Sequence, residues 1–292
     1  MSKSAFIKSS IAKKYWMALT GLFLCLFLVG HLLGNLQLIF STGEEGRRVF
    51  NEYAFFMTTN PAVKALSYLT YFSILFHAVD GIALLIQNKK ARPVPYAYSK
   101  PSENSSLPSR YMALLGTLVL VFIATHMSNF WWKMKYTEEI PLHSYFAKTD
   151  KDFGDSTYAK TLEQKEFYYT QSGPIPKDTA ATTTKGLDIM VKGTNLKYAS
   201  GYKDLHTVVS AFFSKKNKSE SGVPLGLLGM LFYVVSMAVM GFHLWHGFGS
   251  AFQSLGLNHP KFTPVIQLFG KGFAVVVPLL FAIIPVFLYL IS

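Results

Sequence analysis

Five long apolar runs are separated by polar segments along this chain: Trp16–Phe40, Pro61–Gln87, Tyr111–Trp132, Val223–Phe252 and Gly272–Ile291. Each suffices to cross about 30 Å of hydrocarbon, which takes roughly 20 helical residues. Lys64 and Asp80, both in the second run, are the only charges inside them. The pattern predicts an all-α membrane protein, a bundle of five transmembrane helices. Residues 1–132 supply an N-terminal tail and helices one to three, and residues 222–292 supply helices four and five. The first run is long, lacks a small-residue cleavage site and is followed by more spans, so it reads as a retained anchor.

Residues 133–221 are the one polar block, in which lysines and acids alternate among many tyrosines. Such a segment is either a small tyrosine-rich lid or a partly ordered loop. Near its end Leu205, Val208, Val209 and Phe212 share one helical face, which predicts an interfacial helix over Asp204–Phe213 leading into the fourth span. No internal repeat and no nucleotide-binding glycine loop stands out.

Composition agrees with the pattern. Half of the 292 residues are apolar and mean hydropathy is +0.27, too high for a water-soluble domain of this size. The net charge of +12 is explained by where the cations lie. Lys3, Lys8, Lys13 and Lys14 precede the first span; Lys89, Lys90, Arg92, Lys100 and Arg110 follow the second; Lys261 and Lys271 separate the fourth and fifth. Arg47 and Arg48 in the first loop on the other side are offset by Glu44, Glu45 and Glu52. The positive-inside rule then puts the N-terminus in the cytoplasm and the C-terminus outside, with the 133–221 block, too long for the rule, also outside. The excess charge is a matter of topology and lipid contact, not of nucleic-acid binding.

The first four spans each carry a histidine near the middle: His31, His77, His126 and His243, with His246 close to the last. An ionisable ring inside a membrane is costly and marks a functional site. At 1.5 Å per residue, His31 lies about 24 Å beyond Tyr15, and His126 about 24 Å beyond Arg110. His77 is only about 18 Å from Lys89, and His243 about 15 Å from Gln253. Two histidines therefore form an outer tier and two an inner tier, each tier drawn from alternate spans. A lone membrane histidine commonly makes an interhelical hydrogen bond, but four in two paired tiers point to the axial ligands of two haems. Gly81 and Gly247, one turn after His77 and His243, leave room for a porphyrin edge. Cys25 is the only cysteine, which excludes disulfides, covalent haem attachment and iron–sulfur ligation, so the haems would be b-type with two imidazoles each. His143, His206 and His259 read as surface residues, Asp80 as an ion-pair partner of Lys89, Lys90 or Arg92, and Glu52 as a solvated loop acid.

The order of Thr20-Gly21-Leu22-Phe23, Gly30-His31-Leu32, Phe76-His77-Ala78-Val79-Asp80-Gly81, Thr125-His126-Met127 and Phe242-His243 with Gly247 and Ser250 resembles a known family. It is that of the single-chain, five-helix, di-haem cytochrome b subunits of succinate:quinone oxidoreductases and fumarate reductases, most of all the versions found in Bacteroidetes-type bacteria. The likeness covers about 200 residues and all five spans; the 133–221 block is longer than the usual connection. The resemblance implies a bacterial cytoplasmic-membrane subunit that anchors a flavoprotein and an iron–sulfur protein on the cytoplasmic face. Electrons would pass through two b haems to or from a quinone, usually menaquinone, and the dicarboxylate site would lie on a partner. It also implies His77 and His243 as ligands of the proximal haem and His31 and His126 of the distal one. His246, three residues from His243, is the rival ligand, or else binds a propionate or packs. The alternatives are another di-haem cytochrome b or a histidine-containing proton-coupled transporter. A transporter would show broken helices or an inverted repeat, and the bc-type pattern of two histidines about 14 residues apart on one helix is missing.

Overall fold

The computed structural model describes residues 9–94, 98, 100–136, 140–150, 162–177 and 182–292. Lys3 and Lys8, used above for orientation, lie outside them, as do parts of the polar block. The chain is mostly helical. Five helices are long and apolar enough to cross a membrane: α1 (Ser10–Phe40), α3 (Pro61–Ala91), a third over Met112–Tyr136, α9 (Leu225–Ser254) and α10 (Thr263–Ile291). The third is composite, α6 (Met112–His126) running through a π-helical segment, Met127–Trp132, into α7 (Lys133–Tyr136). Two one-turn helices, α4 (Pro101–Asn104) and α5 (Leu107–Arg110), precede it.

Local chemistry fixes several of these boundaries. Asn60 caps α3 by accepting from the Ala62 and Val63 amides at 2.9 and 3.3 Å, with Pro61 at the first helical position where its missing N–H costs nothing. The fifth helix starts nine residues before the apolar run and takes in Lys271, which was placed in a loop above. Lys271 is tolerated there because its ammonium lies 5.7 Å from the centre of the Trp245 ring. Pro278 and Pro285 are buried inside α10, which runs through both.

Helices α1 and α3 pack as one pair, α6 and α9 as another, with α10 against α9 and α1. Leu32, Leu38, Tyr233, Val277, Ile284 and Leu288 belong to the core at one end of the bundle, and Cys25, Met237, Met240, Leu244, Phe248 and Ala274 form a second core beyond it. Leu, Ile, Val and Phe side chains are exposed along all five helices, and α6 buries none of its residues within the chain. Such apolar sides suit lipid and would be a liability in water.

The first connecting segment is not a loop. It forms α2 (Gly43–Thr59), an amphipathic helix with Phe50 and Ala54 inward and Glu44 and Glu45 exposed. Gly34 of α1 makes room for it: a Cβ there would stand 2.5 Å from the Tyr53 hydroxyl.

The polar block sits on α2 and, where described, holds two small antiparallel sheets. One has the order β1 (Ser144–Asp150), β2 (Leu162–Thr170), β3 (Gly173–Pro176), with Ser144 opposite Tyr168 and Phe167 opposite Pro176. The other has the order β4 (Thr182–Lys185), β5 (Asp188–Val191), β6 (Lys197–Ser200). Leu142, Ile175, Ile189 and Ala199 make a satellite core between them. The block ends in α8 (Leu205–Phe213), whose Val209 and Phe213 enter the core shared with α1, α9 and α10. Asp204 caps α8 by accepting from the Thr207 amide at 3.1 Å.

Candidate functional site

His31 points into the bundle from α1 with Phe27, one turn before it, stacked on its ring at 5.3 Å. His126 closes α6 with Phe122, likewise one turn before it, tilted against its ring at 5.7 Å. The structure brings these two histidines together: their ring centres are 5.8 Å apart and their planes cross at 86°. Deeper toward the other end, His77 of α3 meets His243 of α9 at 6.2 Å and 73°. His246 joins neither pair and has no ring partner among the described residues.

Two imidazoles on opposite sides of one metal, each bonded at about 2 Å, have their centres about 6 Å apart. Both pairs match that separation. Their hydrogen bonds run through Nδ1. His77 Nδ1 lies 3.2 Å from the Met17 carbonyl and 3.3 Å from the Thr20 hydroxyl oxygen. A carbonyl only accepts, so Nδ1 carries the proton and Nε2 keeps the lone pair a metal needs. His126 Nδ1 is 3.4 Å from the Tyr233 hydroxyl, which Asn129 of the π segment also reaches at 3.4 Å. His31 Nδ1 lies 3.5 Å from the Asn35 amide, which donates to the His31 carbonyl at 2.8 Å. His243 Nδ1 is buried without a hydrogen-bond partner among the described residues. No group of three or more His, Cys, Asp or Glu side chains that could hold a metal occurs among the described residues. Each histidine pair thus offers two nitrogen ligands, which fits a metal group that brings further donors of its own.

The π segment begins one residue after His126. One extra residue per turn at such a place commonly accompanies a functional site. It turns Asn129 toward Tyr233 and Trp131 toward Tyr71 of α3, to which the indole donates at 2.7 Å. A cleft of about 300 Å³ lies against it, lined by Ala124, Met127, Ser128, Trp131 and Trp132.

Glycine space is distributed otherwise than the sequence analysis expects. Gly81 faces the methyl of Met17, and Gly247 that of Met112. The glycines against the rings come from the neighbouring helix: a Cβ on Gly21 would approach His77 Cε1 to 3.1 Å, and one on Gly116 would approach His243 Cε1 to 3.4 Å. This symmetry exposes an internal correspondence that was not apparent above. Met17-Ala18-Leu19-Thr20-Gly21 parallels Met112-Ala113-Leu114-Leu115-Gly116, and the later Phe27 and His31 match Phe122 and His126. On the partner helices Phe76-His77 and Gly81 match Phe242-His243 and Gly247, while buried hydroxyls stand at Thr70 and Ser236, seven residues before each histidine. The chain holds two related helix pairs, with the polar block inserted into the second. The repeated M-A-L-x-G is the signal that finds Gly21 and Gly116.

Four other expectations are corrected. Asp80 forms no ion pair among the described residues. Glu52 is not a free loop acid: it accepts from Arg48 at 2.8 Å and from the Tyr169 hydroxyl at 2.6 Å. His143 is not at the surface but 1% exposed, its Nε2 on Glu44 and its Nδ1 3.4 Å from Asn51. His206 is half-buried against Phe50, and burial lowers its pKa below that of a free histidine; His259 is exposed as expected. Sequence distance hid this cluster, because its members come from α2 and from the far ends of the polar block. At its centre Asp204 accepts from Arg47 Nε at 2.9 Å and from Asn51 at 2.8 Å. Burial alone raises a carboxyl pKa, but the bonds from Arg47, Thr207 and Asn51 overcome it and hold Asp204 at about 2.

No protein-family model, curated protein or solved structure matches this chain.

Proposed function

We propose that this chain is the membrane-anchoring cytochrome b subunit of a succinate:quinone oxidoreductase in a bacterial cytoplasmic membrane. Its N-terminus lies in the cytoplasm, its polar block lies outside, and a flavoprotein and an iron–sulfur subunit dock on the cytoplasmic face. The observation that carries this reading is the pair of pairs: two histidine couples, each drawn from two helices at the spacing of one metal, stacked at two depths of a membrane-sized bundle. His31 and His126 would hold one b haem and His77 and His243 the other.

Such a group supplies one-electron transfer; the protein positions it and sets its potential. His77 presents Nε2 because the Met17 carbonyl occupies the proton on Nδ1. Phe27, Phe122 and Phe281 pack against the outer pair and keep water from it. Gly21 and Gly116 allow the inner rings to stand close to the adjacent helices. His31 with His126 and His77 with His243 would hold one such group per tier, and the expected partner in the membrane is a quinone, menaquinone.

The test is direct. The full chain, purified from membranes, is expected to give a bis-imidazole b-type spectrum and two haems per chain in a pyridine haemochrome assay. His31→Ala and His126→Ala should each remove one and the same haem, and His77→Ala and His243→Ala the other. Absence of haem from the intact chain overturns the reading. Loss of a haem from His246→Ala but not His243→Ala moves the fourth ligand. Co-purified subunits and lipid-extracted quinone identify the partners.

A further inference from the structure

The correspondence between the two helix pairs breaks at one position that matters. Thr20 and Leu115 occupy the same place in Met-Ala-Leu-x-Gly. The Thr20 hydroxyl donates to the Trp16 carbonyl one turn back, at 2.7 Å, so its lone pairs remain for His77 Nδ1 at 3.3 Å. The Met17 carbonyl reaches the same nitrogen at 3.2 Å. In the other half-bundle the Leu115 side chain offers no lone pair, and His243 Nδ1 is buried with no hydrogen-bond partner among the described residues. Two facing histidines of one tier therefore differ in the nitrogen away from their shared centre: one has two acceptors, the other none.

We propose that Thr20 and the Met17 carbonyl make the inner pair unequal, with His77 the strong, fixed ligand and His243 the weak, releasable one. This rests on the functional assignment above. A hydrogen bond donated from Nδ1 adds electron density at Nε2, strengthens the bond to an oxidised metal and lowers its midpoint potential. The same bond locks the His77 tautomer and ring angle. His243 has neither restraint and is held by packing, with Gly116 close beside its ring. Thr20 is thus a positioning residue that acts through His77.

The experiment compares the purified full chain with Thr20→Val, Thr20→Ser and Leu115→Thr by redox potentiometry of the inner haem and by the low-spin ferric resonance. Thr20→Val keeps the shape and removes one of the two acceptors, so that haem's midpoint should rise. Thr20→Ser restores the hydroxyl and should return it. Leu115→Thr gives His243 an acceptor and should lower it. A tenfold change in the ferric-to-ferrous preference corresponds to about 59 mV for one electron. The outer haem serves as the internal control and should not move. Two haems with midpoints and resonances unchanged in all three variants overturn this inference and leave the functional assignment standing. A chain without haem overturns the assignment itself. If Thr20→Val loses the inner haem outright, the Ser variant decides: retention of haem and potential supports the hydroxyl, and loss in both shows a packing role only and overturns the proposal.

Discussion

The bundle and the polar block solve opposite problems with the same side chains. Where the block meets α2, charge is answered: buried Asp204 has Arg47, Asn51 and the Thr207 amide, and the more exposed Glu52 has Arg48 and Tyr169. In the bundle, ionisable groups are few, and four histidines meet in two facing couples, with one ring nitrogen unanswered among the described residues. A histidine buried against a carboxylate, such as His143 on Glu44, is part of a fastening. A histidine buried against another histidine fastens nothing, since two neutral imidazoles gain little from facing each other. The difference separates the polar groups that hold the molecule together from those available for chemistry.

The sharpest test of that separation is a double dissociation. His31→Ala is expected to remove one haem and leave the block docked. Asp204→Ala should do the reverse, because removing one partner of a buried ion pair strands the other and costs about 3–5 kcal/mol. Arg47 is the stranded group, only 22% exposed, and Asn51 loses its acceptor as well. Limited trypsin digestion should cut residues 133–221 quickly in Asp204→Ala and slowly in His31→Ala, with the haem spectra changing in the opposite sense. Equal effects of both substitutions on both measurements would erase the distinction.

Acid gives the second largest effect. The Asp204 pKa falls from 3.8 to about 2 on folding. A depressed carboxyl contributes stability that is present above the unfolded pKa and lost as pH drops through the folded one. A shift of nearly two units is worth about 2 kcal/mol at neutral pH, vanishing between pH 4 and 2. Block protection in wild type should fall across that window. In Asp204→Asn, which keeps an acceptor but no charge, protection should start lower and lose this part of its slope.

What was legible in the sequence follows the same division. The five helices and the two histidine depths could be counted, because lipid forces uninterrupted apolar runs and makes each interior polar ring conspicuous. Helix α2 was missed: its arginines and glutamates resemble a solvated loop, and only Phe50, Asn51 and Ala54 at helical spacing mark its buried face. Burial of His143 was not legible, since it depends on Glu44 and Asn51 nearly a hundred residues away. The paired helices escaped notice because nine identities are diluted in a background of Leu, Val and Phe. Only the opposed contacts of Gly21 with His77 and Gly116 with His243 give them meaning.

Tyr169 tests a weaker part of the fastening. Its hydroxyl donates to Glu52 and accepts from Arg48 at 3.0 Å, and its ring stacks on Tyr202 at 5.4 Å. Tyr169→Phe keeps the stacking and removes the hydroxyl, while Glu52 retains Arg48. The net cost of such a bond is about 1 kcal/mol. A small drop in melting temperature, with both haem bands unaltered, is the expected result.

The smallest effect belongs to a pair that looks much like the Arg47–Asp204 bridge on paper. Lys197 and Asp188 join neighbouring strands of the second sheet at 2.8 Å. They are 51% and 41% exposed, so water already satisfies both, and holding a lysine chain in one rotamer offsets the gain. Lysine at this position also does nothing for the satellite core, which rests on Ile189 and Ala199. Lys197→Ala is expected to cost no more than about 0.5 kcal/mol, and whatever it costs should disappear in 1 M salt, where the screening length is about 3 Å. The Arg47–Asp204 bridge, buried under α8, should keep most of its contribution in the same salt. Melting curves of wild type, Lys197→Ala and Asp204→Asn at low and high ionic strength measure both at once. If the exposed pair proved the more costly to remove, burial would not be what makes a charge pair hold this block in place.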